Sequence, residues 1–179
     1  MNARKEMFEG KKRYAQRKAA ENAEIASENG LLEEQIDALD SLCSFRHWLH
    51  CNSQSAANVE SSDAPEINKE CSEYYEDEDN TQRATIKRLF GEYPFSRRDW
   101  NGIDDWSDLV DNKQEFLNER GRTDIDPDSE EAREEWIAYC YETNAKIFEK
   151  INDEIESFLK KIDEKYGTSY CPTGISRLY

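Results

Sequence analysis

The sequence predicts a mostly α-helical protein: a helical bundle, or an α-helical body that carries a long, coiled-coil-like helix at its C-terminal end. Three observations lead there. Apolar side chains from Ile137 to Ile162 step by four and three residues through four heptad units, which keeps one stripe on one face of a helix. Segments 4–29 and 31–51 are built from helix formers or carry apolar residues at helical spacing. Although the chain holds 40 acidic residues against 24 basic ones, it also holds 20 aromatic residues, far more than a chain too polar to fold would carry.

The first element, residues 1–29, is a basic N-terminal helix. Its first twenty residues carry seven basic and two acidic side chains, net +5, and the rest of the chain is net -21. Arg4, Lys5, Lys11, Lys12, Arg13, Arg17 and Lys18 supply the positive charge. Gly10 is expected to interrupt the helix, and its alanine stripe buries little area, so anchoring is weak. Asn29-Gly30 reads as a C-cap and restart. An amphipathic helix then spans 31–51, where Leu32, Ile36, Leu39, Cys43 and His47 recur at helical spacing. Residues 52–68 read as a polar linker, and 69–125 as an acidic, Trp-containing helical region. Within that region, Thr81 to Phe90 forms a short helix ended by Gly91 and Pro94, and Ser96 and Ser107 mark further helix starts.

Asp126-Pro127 reads as the start of the last helix, since aspartate caps free N–H groups and proline loses nothing in the first turn. The helix spans 126–166, with a seam of Ile137, Tyr141, Asn144, Phe148, Ile151, Ile155, Phe158 and Ile162. Such a seam offers a surface for a homo-oligomer, with Asn144 setting register. Residues 167–179 form a tail.

Several chemistries find little support. Cys43, His47, His50 and Cys51 are the ligand types zinc takes, yet one straight helix spreads them too far along its axis to surround one ion; whether two of them recruit another cysteine stays open. Asp124, Asp126, Asp128 and Glu135 match calcium-loop positions, but Ser129 stands where that loop needs glycine. No phosphate cradle, no His-Glu-x-x-His and no nucleophile motif is present. A non-enzymatic protein with no cofactor and no bound metal is expected. The absence of a long apolar run and of an apolar leader predicts a cytoplasmic protein without a membrane partner. Five irregularly spaced cysteines suit reduced thiols.

The positive functional signal is charge. Carboxylates gather in three clusters: Glu73, Glu76, Asp77, Glu78 and Asp79; Asp99, Asp104, Asp105, Asp108 and Asp111; and Asp124, Asp128, Glu130, Glu131, Glu134 and Glu135. Duplex DNA carries one negative charge per about 1.7 Å of axis, and a rigid helical frame studded with carboxylates approximates that line of charge. In charge, size and helical rigidity the layout is similar to the broad class of phage and mobile-element inhibitors that occlude defence proteins by nucleic-acid mimicry. That resemblance implies a blocker of a basic nucleic-acid groove, of the anti-CRISPR or anti-restriction type. The alternatives are a coiled-coil structural or adaptor protein, and a DNA-binding protein that uses the basic N-terminal helix. In the first reading Trp100, Trp106 and Trp136 support the fold.

Overall fold

The computed structural model describes residues 3–61, 81–98, 105–109 and 111–171. Among them every regular element is helical: α1 (Ala3–Glu28), α2 (Glu33–Ala57), α3 (Gln82–Phe90), α4 (Asp105–Asp108), α5 (Lys113–Glu119) and α6 (Glu130–Tyr166). No helix among the described residues is long and apolar enough to cross a membrane.

The α1 backbone passes through Gly10 without a break. Its anchorage lies in its last turns, where Asn22 and Ala26 are buried, while Arg13, Gln16, Arg17, Ala19 and Ala20 are exposed. The turn into α2 is closed by Leu31 N–H on the carbonyl of Ala26 at 2.9 Å, with Gly30 at a φ of +93°, the left-handed geometry a helix stop requires. Gln35 then ties two helices together, because its Oε1 accepts from Leu32 N–H at 3.0 Å and its amide donates to the Leu89 carbonyl at 3.1 Å.

Helix α2 runs six residues further than its apolar pattern suggests. Asn52 donates to the Trp48 carbonyl at 2.8 Å, and Ala57 is fully buried in the core. The first part of the expected 52–68 linker is therefore helix, extended by packing that a polar composition does not reveal.

Helix α6, of 37 residues, is about 55 Å long at 1.5 Å per residue. It starts at Glu130 rather than Asp126: Ser129 is the cap, its Oγ accepting from Ala132 N–H at 3.2 Å. Asp126 instead closes the turn before it, accepting from Asp128 N–H through its side chain and from the Ser129 hydroxyl through its carbonyl. Two capping residues stand three apart here, and the one next to the uninterrupted apolar run prevails.

Two apolar clusters meet along α6. The larger joins Leu39, Leu42, Phe45 and Leu49 of α2 to Phe148, Ile151, Ile155, Leu159 and Ile162, with Ile86 of α3. The pair is antiparallel, since Arg46 contacts Asn152 and Glu156 while Cys43 lies by Tyr170. The smaller cluster gathers Trp106, Leu117, Ile125, Ala132, Trp136 and Cys140.

The N-terminal half of the expected seam is accordingly displaced. Tyr141 is 36% exposed and Ile137 half-buried; Ala132, Trp136 and Cys140 are the buried residues. Buried positions 132, 136, 140, 144 and 148 step by four, and each step turns about 40° around a helix of 3.6 residues per turn. The buried stripe thus winds from the smaller cluster to the larger. Asn144, fully buried, stands at the handover.

The chain after α6 folds back. Gly167 N–H donates to the Asp163 carbonyl at 2.8 Å. The Asp163 carboxylate accepts three bonds of 2.7 Å, from the Thr168 hydroxyl and from the N–H groups of Tyr170 and Cys171. Thr168 and Tyr170 are buried, and Ser169 N–H reaches Asn22 of α1 at 3.0 Å. The start of the supposed tail therefore locks three helices together.

Candidate partner-binding surface

The acidic residues divide into those that hold the fold and those that face outward. Glu135 belongs to the first group. Its side chain is 20% exposed, and it accepts from Arg120 Nε at 3.2 Å and from Arg122. Glu154 binds the 91–98 segment, taking Ser96 N–H at 2.7 Å and both terminal nitrogens of Arg98. That fork holds its carboxyl below the usual range, chiefly through the Arg98 hydrogen bonds. Glu156 is lowered too, by its bond from Lys160 first and by Arg46 beside it.

The outward group is densest around the smaller cluster. Segment 111–142 holds eleven acidic and four basic residues, net -7, and Asp111, Asp124, Asp128, Glu130, Glu131 and Glu134 are all exposed there. Some are partly matched: Lys113 pairs with Asp128 at 3.1 Å, Arg122 with Glu131 at 2.5 Å and Arg133 with Glu130 at 3.0 Å. In each pair the carboxylate is the exposed partner, so it stays solvated and the pair is weak. The platform beneath is rigid, because Trp106, Phe116, Trp136 and Tyr139 pack ring to ring with centres 5.3 to 6.1 Å apart. Asp105 lies in α4 and is half-buried. Ser107 sits inside the short α4 rather than starting a helix, and α5 begins after Asn112.

Glu73, Glu76, Asp77, Glu78, Asp79, Asp99, Asp104 and Trp100 lie outside the described residues, as do the side chains of Asp108, Arg4, Lys5, Lys11 and Lys12. Of the basic arm, Arg17 and Lys18 pair with Glu21 of their own helix, at 3.6 and 2.6 Å.

The zinc-type residues are split. The Cys43 thiol is buried against the Tyr170 carbonyl at 3.4 Å, and burial pushes its pKa up to about 12, which suppresses the thiolate a metal needs. Half-buried His47 and exposed Cys51 form a pair, their nearest atoms 3.6 Å apart, and burial first, then His50, lowers the imidazole pKa. Among the described residues no three acidic, Cys or His side chains cluster to hold an ion. The calcium-loop reading loses its bidentate ligand, since Glu135 is clamped by Arg120 and Arg122.

One feature was not legible as a site in the sequence. Segment 82–98 carries five basic residues and one acidic, net +4, and Arg83 is buried with its guanidinium 3.8 Å from the centre of the Tyr93 ring and its Nε on the Phe95 carbonyl. Two of its basic side chains tie elements together: Arg88 joins α3 to Glu34 of α2, and Arg98 joins the loop after α3 to Glu154 of α6.

Comparison with family models, with curated proteins and with solved structures finds no match to this chain.

Proposed function

We propose that the protein is a non-enzymatic blocker that presents its acidic end to the basic nucleic-acid groove of a DNA- or RNA-handling protein. A bacterial defence nuclease is the favoured target, which would make the protein an anti-CRISPR or anti-restriction inhibitor. The supporting observation is the net -7 carried by segment 111–142 on α5, α6 and the turn between them, all fixed to one aromatic platform. Carboxylates held in place attract a basic groove without first having to be ordered, and opposite fields steer the encounter.

The adaptor reading asks that the heptad seam be available to another chain. Phe148, Ile151, Ile155, Phe158 and Ile162 are buried within this one, which favours the blocker. The DNA-binding reading asks α1 to approach phosphates against a body of net -21.

The test is inhibition of a panel of CRISPR effector nucleases and restriction endonucleases across a salt series from about 50 to 500 mM, over which the Debye length falls several-fold. The proposal expects at least one enzyme to be inhibited at low salt and released steeply as salt rises. No inhibition anywhere, or affinity indifferent to salt, overturns it.

A further inference from the structure

An open groove of about 530 Å³ lies between α5 and the N-terminal half of α6, within the size range of specific binding pockets. Its floor is aromatic. Phe116 stands edge-on to Trp136 and Tyr139, with ring centres 5.3 and 5.4 Å away. Its polar lining is Asn112, Arg120 and two carboxylates, Glu115 and Glu119, exposed and one turn apart on α5. Aromatic faces attract cations through the ring quadrupole, and carboxylates bind guanidinium through charge-assisted hydrogen bonds.

The protein's own cations already use the edges of this aromatic cluster. The Lys113 ammonium lies 5.1 Å from the Trp106 ring centre, and the Arg120 guanidinium 5.8 Å from that of Tyr139. Both are committed elsewhere: Lys113 to Asp128, Arg120 to Glu135 and Glu142. Among the described residues no cation pairs with Glu115 or Glu119, which leaves both to recruit one from outside.

We propose that this groove is the seat of an arginine side chain of the partner protein, its guanidinium held by Glu115 and Glu119 and its flat face laid against Phe116. Arginine suits the seat better than lysine, because a planar fork both stacks on rings and bridges two carboxylates. The proposal rests on the reading of the protein as a ligand for basic surfaces and names the point at which such a surface is anchored.

The test titrates the isotopically labelled full chain with a short arginine-centred peptide and, in parallel, with its citrulline counterpart, which keeps the shape and loses the charge. The expected result is saturable shifts of the Trp136 indole and of the Glu115 and Glu119 amides with arginine, absent with citrulline. The Glu115→Gln/Glu119→Gln variant, with an unchanged thermal melt, should bind about three- to tenfold more weakly, the range for losing two exposed charge contacts. Equal binding of the two peptides, or shifts spread over every acidic surface, overturns the site. If the arginine peptide binds as expected while no nuclease is inhibited, the functional reading fails and the site stands. If a nuclease is inhibited equally by the variant and the groove stays silent, the site fails and the functional reading stands. Self-association of the chain that the same variant abolishes would hand the seat to a second copy and overturn the partner assignment.

Discussion

Glu134 and Glu135 are neighbours on α6 with opposite duties. Glu134 is exposed, whereas Glu135 is clamped by two arginines beside the smaller cluster. Glu135→Gln should therefore cost about 1–3 kcal/mol, the range for a partly buried charged hydrogen-bonding group that loses its charge, while Glu134→Gln should stay within about 0.5 kcal/mol. Urea denaturation of both variants checks the contrast. Equal effects would mean that the arginines add nothing to the fold. Asp163 makes a sharper case, because one carboxylate holds Thr168, Tyr170 and Cys171. Asp163→Ala should release that segment at a cost of about 1.5–3 kcal/mol, and hydrogen exchange at the Tyr170 and Cys171 amides should accelerate well before the core amides do. Protection that persists in the variant would show that the burial of Tyr170 alone secures the turn.

Helix α6 buries one face against α2 and, half its length away, another against α4 and α5. Ile155→Asp places a charge in a fully buried site and should unfold the chain as a monomer, whereas Tyr141→Asp should be tolerated. Circular dichroism at several concentrations separates this from a seam that serves an oligomer, where Ile155→Asp would leave a folded monomer. The helical class, the Gly30 stop, the Thr81 start and the C-terminal half of the seam were legible in the sequence, because apolar spacing and capping chemistry act locally. The N-terminal half was not: Trp136 and Cys140 compete with Ile137 and Tyr141 one position away, and the choice is made by the partner that Trp136 finds in Trp106, 30 residues distant. The fold-back at Asp163 was hidden for the same reason, since a carboxylate in a last helical turn looks like surface until its acceptors are filled. The acidic character of the candidate surface was visible as composition, but not which carboxylates were already spent on arginines.

Across the whole molecule a formal charge of -16 means self-repulsion, which opposes compactness. The pH response follows from groups of opposite sign. Glu154 and Glu156 have lowered folded-state pKa values, so their stabilisation is present above the ordinary carboxyl range and is lost as pH falls through the lowered values. Asp40 is raised, by burial first and by Asp37, so its contribution is present below the ordinary range and lost as pH rises. Acidification toward the carboxyl range relieves repulsion and favours the protonated form of Asp40, and stronger acidification breaks the clamps. The melting temperature should therefore hold or rise from pH 7 to about 5 and fall below about 4; a steady fall from pH 7 would mean that the clamps outweigh repulsion throughout. If the acidic end stands in for nucleic acid, protein and duplex must compete for one groove. The most direct measurement is displacement of labelled duplex DNA from an inhibited nuclease by increasing amounts of this protein. The account predicts mutual exclusion, each ligand raising the apparent Kd of the other in proportion to its concentration. A ternary complex in which nuclease, duplex and this protein remain bound together would contradict it.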